Sequence, residues 1–376
     1  MAIAMAKIII SANTSWNLVN FRASLIRTLV GAGYEVIAVA PHDKYVSKLK
    51  ELGCHVVSLP IDMHGRHIGR DLLLFFRYFM IMRQYMPIIY LGFTVKPNIY
   101  GSIAAHILGI AVVNNIGGLG AVFSQKGGWL LSLLRLLYRG ALSRSHKIFF
   151  QNKEDHLKFI KERIINNQLT DQLPGSGIDL EWFSYLPKII GDNNKVQFLL
   201  LARMLWEKGI GEYIMAARII LMDYPNAKFV LLGFLDDNNP SAISQAQMDK
   251  WVKEGIIEYR GISSNVKIEI DKVDCVVLPS YYREGVPHSL LESAAIGRPI
   301  ITTDSVGCRE TVDDKITGYL CRPKDAVDLA EKMKLMLKLD HKQRVRMGKY
   351  GREKMKSEYN EKIIVQKYIE VVQKCC

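Results

Sequence analysis

The chain has 376 residues, 49% of them hydrophobic, with 28 Gly and 12 Pro, which is enough to bury a large core and favours two domains over one. That composition excludes a disordered chain. The net charge of +13 calls for a polyanionic partner: nucleic acid, an anionic membrane face or a diphosphate lipid.

Met1 to Lys7 has neither a basic n-region nor a separate apolar core, so no signal peptide is expected, and Ile8-Ile9-Ile10 opens the strand Lys7-Ser11. A helix from about Phe21 to Ala32, ending at Gly33, leads to strands at Glu35-Ala40 and His55-Pro60. From Arg66 to Lys153 eleven Lys and Arg face one acid, Asp71. Leucine, phenylalanine and methionine interleave with these cations in Asp71 to Arg83, and leucine and tryptophan in Gly128 to Arg139. Two readings stay open: a surface lying in a lipid interface, or core-facing helices whose arginines reach out to water. Leu72 to Leu91 is the most lipid-like stretch, but Arg77, Arg83 and Gln84 interrupt it, so no membrane span is expected.

Strands near Ile88-Leu91, Ala111-Asn115 and Lys147-Gln151 complete a first sheet, and the turn-rich Leu173-Pro-Gly-Ser-Gly-Ile-Asp179 marks an interdomain connection. The pattern restarts with strands at Val196-Leu201, Phe229-Leu232, Ile256-Tyr259, Cys275-Leu278 and Pro299-Thr302. Helices are expected near Gly209-Asp223, Ala242-Glu254 and Ser289-Ala295, then a nearly continuous helical region from Asp325 to Val372. The expected class is α/β, with two doubly wound parallel sheets. The expected domains are 1–182, 183–358 and a final helix, 359–376, returning to the first domain.

Cys54, Cys275, Cys308, Cys321, Cys375 and Cys376 follow no metal or disulfide spacing, which fits a reducing, cytoplasmic setting. The terminal Cys375-Cys376 pair is expected to be a frayed end rather than an acylation site. No Asp-x-Asp occurs, so the usual metal clamp on a diphosphate lacks its signature.

Two segments of the second half carry candidate chemistry. Arg203 and Lys208, in Ala202-Arg-Met-Leu-Trp-Glu-Lys-Gly209, lie between a strand and a helix, at the edge where open α/β sheets bind ligands. They can neutralise a diphosphate or be ordinary solvated cations. In Leu278-Pro-Ser-Tyr-Tyr-Arg-Glu284-Gly285-Val286-Pro287-His-Ser-Leu-Leu-Glu292, a strand ends and a helix begins after Gly285, with Pro287 in its first turn and Glu292 about two turns in. Glu284 can accept from sugar hydroxyls and Glu292 from a ribose diol, or the two are a capping acid and a surface acid.

These segments together, Arg203…Lys208-Gly209 and Glu284-Gly-Val-Pro-x4-Glu292, resemble the retaining glycosyltransferases of family 4, which have the GT-B fold of two Rossmann-like domains facing a central cleft. Asn20-Phe-Arg22, Lys96-Pro-Asn-Ile-Tyr-Gly101, Gly117-Gly-Leu-Gly120, Phe149 to Asp155 and Pro174 to Asp179 are similar to the bacterial branch that builds capsule and O-antigen units. Ala202-Gly209, Asn239-Pro-Ser241 and Leu278-Pro-Ser-Tyr281 look closest to enzymes adding N-acetylgalactosamine to a lipid-diphosphate-linked sugar.

The resemblance implies that Glu284 contacts the donor hexose, Arg203 and Lys208 the diphosphate, Glu292 the ribose and Arg260-Gly261-Ile262 the uracil. Gly285 and Val286 would offer backbone N–H groups, while Asn13, Arg22, Lys96, Gly117 and Gly118 would stand on the acceptor side. Where many relatives carry His before Gly-Leu-Gly, this chain has Gly117, so that role would be absent or pass to His106 or Lys96. The implied partners are a UDP-sugar, a lipid-diphosphate-linked glycan and the anionic cytoplasmic face of an inner membrane, with no nucleic acid, no cofactor and no metal. A nucleotide-sugar epimerase on the same fold and a non-catalytic polyanion-binding protein are the competing readings.

Overall fold

Runs of β-branched and aromatic residues, separated by helical segments, form two parallel sheets in a computed structural model that describes residues 5–62, 67–118, 129–166, 169–188, 196–236, 239–283 and 285–375. The first sheet contains β1 (Lys7–Ser11), β2 (Glu35–Ala40), β3 (His55–Ser58), β4 (Ile89–Phe93), β5 (Ala111–Ile116), β6 (Lys147–Phe150) and β7 (Thr170–Gln172), in the order β3-β2-β1-β4-β5-β6-β7. The second contains β8 (Gln197–Leu201), β9 (Lys228–Leu232), β10 (Glu258–Tyr259), β11 (Cys275–Leu278), β12 (Ile300–Thr303) and β13 (Gly318–Cys321), in the order β10-β9-β8-β11-β12-β13. Ile8, Ile9 and Ile10 are all buried, as are Cys275 to Leu278, because helices cover both faces of each sheet. The strand order reverses between β1 and β4 and again between β8 and β11, which makes each sheet doubly wound.

The chain divides into two units, Met1–Gly177 with Glu361–Cys376, and Ile178–Asn360. The cuts fall at Gly177/Ile178 and Asn360/Glu361, where the sequence placed them at 182/183 and 358/359. The short strands β7 and β13 were not foreseen. The first helix runs Ser15–Gly31, six residues earlier than its periodicity indicated, because the Thr14 side chain accepts from Asn17 N and caps it. The closing region is three helices, Ala326–Lys338, His341–Glu358 and Glu361–Cys375. Asp340 and Gln343 form a reciprocal capping box that starts the middle one afresh.

The last helix buries Ile364, Val365, Tyr368 and Val372 in the core of the first unit. Its Tyr368 ring lies 4.9 Å from that of Phe149 and 5.9 Å from that of Phe93, and its hydroxyl accepts from Asn115 Nδ2 at 2.8 Å. Cys54 and Cys321 are buried, and desolvation pushes both thiols up to about 12, which keeps them protonated and inert. Among the described residues no helix is long and apolar enough to cross a membrane.

Replacing Tyr368 with Ala removes this aromatic cluster and strands the Asn115 amide. The expected result is a loss of about 3–5 kcal/mol from the first unit, read as a lower urea midpoint for its unfolding transition.

Candidate functional site

A strand buried on both faces can show a ligand only its end, so the chemistry of the second unit gathers in the loops leaving β8, β9, β10 and β11. The strand order reverses between β8 and β11, the place where open α/β sheets bind ligands. Arg203 and Lys208 lie in the loop leaving β8. Arg203 Nη1 is 3.5 Å from Asp236 Oδ2, and Lys208 Nζ is 5.4 Å from the centre of the Tyr282 ring. Arg203, half-exposed and this far from its carboxylate, keeps most of its attraction for an incoming anion.

Gly209 fixes where this loop sits. Its φ is +78°, and a Cβ there would stand 2.2 Å from the Pro279 carbonyl oxygen, so the residue both caps the helix Ile210–Asp223 and lets the β8 loop press on the loop leaving β11. The same two loops are joined by Glu207, whose carbonyl accepts from Tyr281 N at 3.0 Å, Tyr282 N at 3.2 Å and Ser280 Oγ at 3.2 Å. On the other side Gly233, with φ +148°, brings β9's end so close to Ala202 that a Cβ would meet its carbonyl oxygen at 1.7 Å.

Helix His288–Ile296 follows β11 with Pro287 at its N-cap, one position before the first turn where the sequence placed it. Glu292 is consequently just over one turn in, rather than two. His288 Nδ1 is 2.9 Å from Glu292 Oε1, which holds the carboxylate in a fixed, partly buried position. Val286 is buried and Gly285 half-buried at the start of this turn, and the uncapped helix N-terminus can hold an anion. Glu284 lies outside the described residues.

Arg260 is spoken for. Its guanidinium lies 2.8 Å from Glu258 and 2.9 Å from Glu269; these bonds push Arg260 up and hold the Glu258 carboxyl below its ordinary range, while Lys272 first and Arg260 second do the same for Glu269. That leaves the backbone at Gly261 and the 76% exposed Ile262 as what this loop offers a ligand.

Most of the residues expected on the acceptor side line the corresponding edge of the first sheet. Asn13 follows β1 and its N–H donates to Thr94 Oγ1 at 3.1 Å; Thr94 itself has φ +68°, a strained value for a β-branched residue. Lys96 follows β4, with its Nζ 2.6 Å from Asp71 Oδ1, while the Tyr100 hydroxyl donates to Asp71 Oδ2 at 3.0 Å. Burial and the Asp71 charge push the Tyr100 phenol up. The single acid of the basic block is thus consumed by Lys96 and Tyr100.

Arg22 is 6% exposed, stacked 4.2 Å over the Phe93 ring, and burial lowers its pKa; its side chain is seated in the core. His106 Nε2 lies 2.8 Å from the Ala141 carbonyl, a structural tie to the next helix, and burial lowers its pKa. Gly117 and Gly118 follow β5, Gly118 with φ +125°, whereas residues 119–128, which include Gly120, lie outside the described residues.

The sequence reading missed Glu207, Ser280, Thr94 and Lys324. Lys324, in the loop after β13, has φ +60° and places its Nζ 4.7 Å from the centre of the Tyr281 ring, adding a third cation beside the β11 loop. Glu207 and Ser280 stand inside the segments Ala202-Gly209 and Leu278-Tyr281, but only the pairing of sheet ends shows what they, Thr94 and Lys324 do. Among the described residues no three His, Cys, Asp or Glu side chains cluster as metal ligands.

Residues 186–354 match the family described as Glycosyl transferases group 1, and residues 7–152 match Glycosyl transferase 4-like. The chain is 28% identical over 371 residues, 94% of its length and 95% of the relative's, to the N,N'-diacetylbacillosaminyl-diphospho-undecaprenol alpha-1,3-N-acetylgalactosaminyltransferase of Campylobacter jejuni. It is 23% identical to the capsular polysaccharide biosynthesis glycosyltransferase CapM of Staphylococcus aureus, covering 82% of each chain. Among solved structures, Anabaena HepE in complex with UDP and glucose superposes with a TM-score of 0.79 at 14% identity, covering 98% of this chain and 100% of that one. With two doubly wound units in this order, and with family matches spanning most of both, the chain belongs to glycosyltransferase family 4 and has the GT-B fold.

Proposed function

We propose that the enzyme transfers an N-acetylhexosamine, GalNAc in α linkage being the best candidate, from a UDP-sugar to a sugar carried on polyprenyl diphosphate during assembly of a bacterial surface glycan. The observation that carries this reading is the β8 loop pressed at Gly209 onto Pro279, with Lys208 Nζ 5.4 Å from the centre of the Tyr282 ring in the loop that leads to helix His288–Ile296. The name of the Campylobacter relative supports the lipid-linked acceptor and the sugar, and the UDP complex of HepE supports the donor.

Retention follows from attack by the acceptor hydroxyl on the face that UDP leaves. The bond from the anomeric carbon to the β-phosphate oxygen breaks, that oxygen takes the hydroxyl proton, and UDP departs. Arg203, Lys208 and the N–H groups of Gly285 and Val286 stabilise the charge that grows on the diphosphate. Glu292, aimed by His288, accepts from the ribose, and the loop at Arg260-Gly261-Ile262 contacts the uracil through its backbone and Ile262. Glu284 takes the sugar hydroxyls by family resemblance, with Asn13, Lys96, Gly117 and Gly118 on the acceptor side. Fixed cations and a helix N-terminus neutralise the diphosphate in place of a metal ion.

The enzyme works on the anionic cytoplasmic face of the inner membrane. Helix Ile68–Tyr85 buries Leu74, Tyr78 and Met82, while Ile68, Leu72, Phe76 and Met80 form an exposed stripe on its opposite side, Phe76 at 53% and Met80 at 61%. Arg77 and Arg83 are exposed on the same helix, as is Arg70, which pairs with Asp62 at 3.1 Å, and Asp71 is already neutralised. The second candidate stretch differs: in helix Trp129–Leu142 Arg135 pairs bidentately with Glu162, and Arg139 donates to the Arg163 carbonyl. The first helix is therefore the one that meets anionic lipid.

Arg203→Ala and Lys208→Ala should each lower kcat about 100- to 1,000-fold, the effect of losing one donor to a developing oxyanion; wild-type turnover in both would remove them from the mechanism. Activity should persist in EDTA, and its loss with recovery on adding manganese would refute metal independence. Analysis of the product separates transfer from the rival epimerase, which alters the nucleotide sugar with no acceptor present. In flotation, the enzyme should follow vesicles containing phosphatidylglycerol and not pure phosphatidylcholine. Phe76→Glu with Met80→Glu should abolish that binding without changing the far-UV circular dichroism. Binding to RNA with indifference to anionic vesicles would favour a nucleic-acid binder instead.

A further inference from the structure

Glu207 occupies an unusual place in the second unit. Its Oε1 accepts from Ser241 Oγ at 2.5 Å, in the loop leaving β9, and its carbonyl receives the three donors of the β11 loop at Ser280, Tyr281 and Tyr282. Ser280 continues the chain, since its own carbonyl accepts from the hydroxyls of Thr303 and Ser305 at the end of β12. One hydrogen-bonded seam thus crosses the ends of four strands, β9, β8, β11 and β12, and Glu207 is the residue on which the β9 and β11 loops both hang.

The carboxylate is costly where it stands. Oε2 is buried and has no hydrogen-bond partner, and Glu207 makes no ion pair among the described residues. A carboxylate with one oxygen unsatisfied away from water is a poor stabiliser, and an apolar side chain would fill the position at lower cost. Groups that break the rules of satisfaction tend to be those a site requires. The neighbour in sequence is Lys208, and the turn Trp206–Lys208 is tied to the β9 loop at Ser241, whose carbonyl accepts from Trp206 N at 2.9 Å.

The geometry points to Glu207, with Ser241 as its partner, as a positioning residue that aims Lys208 and the Tyr281-Tyr282 turn at the diphosphate of the donor. It touches no reacting atom. This inference rests on the nucleotide-sugar reading above, and binding of UDP compared with UMP tests it in the full-length enzyme, because the two ligands share the base and ribose and differ in the terminal phosphate.

By calorimetry, Glu207→Ala should weaken UDP about tenfold, the scale of one hydrogen bond to a charged group, while UMP affinity changes less than about twofold. Ser241→Ala should reproduce the direction of the effect. Glu207→Gln, which still accepts from Ser241, should restore UDP affinity to within about threefold of wild type. A merely structural role would lower UDP and UMP affinity together, and that outcome overturns the proposal. So does a Glu207→Ala enzyme with unchanged UDP affinity, or a Glu207→Gln enzyme as weak as the alanine variant. A wild-type enzyme that binds neither ligand would overturn the nucleotide-sugar reading as well, which distinguishes the two failures.

Discussion

Parallel strands sealed on both faces by helices have nowhere to present polar chemistry except at their ends, and this constraint organises both units. In the second unit it concentrates Arg203, Lys208 and the Gly261-Ile262 backbone in loops that leave neighbouring strands in the same direction, with Glu292 on the helix that follows β11. The strand order reverses between β8 and β11, and the two loops leaving those strands are held together by Gly209 and Glu207. The glycines act within this frame. Gly209 against the Pro279 carbonyl, and Gly233 against that of Ala202, allow approaches that no other residue tolerates.

Within that edge, charge and hydrogen bonding are divided between different residues. Arg203, half-exposed and 3.5 Å from a carboxylate, keeps most of its attraction for an anion, and Lys208 lies 5.4 Å from the centre of the Tyr282 ring. Arg260, by contrast, is saturated by Glu258 and Glu269 and serves the fold. A cation's chemical type therefore says little about its role until its partners are known. The same contrast separates the two basic helices of the first unit. The arginines of Trp129–Leu142 are tied to Glu162 and Arg163, whereas those of Ile68–Tyr85 flank an open apolar stripe.

Strained and unsatisfied groups also mark the strand ends. Thr94 with φ +68° and Lys324 with φ +60° hold conformations that their side chains disfavour, and Glu207 Oε2 is buried without a partner. Each costs stability that a purely structural loop would avoid, and the well-packed cores beneath offset that cost.

The sequence by itself determined the fold class, nearly all the strands and the motifs of the donor loops. Alternating β-branched and helical runs are a local property, and Arg203, Lys208 and Glu292 announce themselves by position relative to those runs. It placed the helix caps less well. Thr14, Asp340 and Pro287 act through single side chains whose hydrogen bonds are decided by local backbone geometry, so the first helix began early, the closing helix broke into three, and Glu292 moved a turn closer to its N-terminus. Tertiary structure alone decided what is paired. Asp71 with Lys96 are 25 residues apart, Glu207 with Ser280 are 73, and Asn115 with Tyr368 are 253. Such partners meet only because strands, helices and loops far apart in the chain are packed side by side, a proximity that no spacing in the chain records.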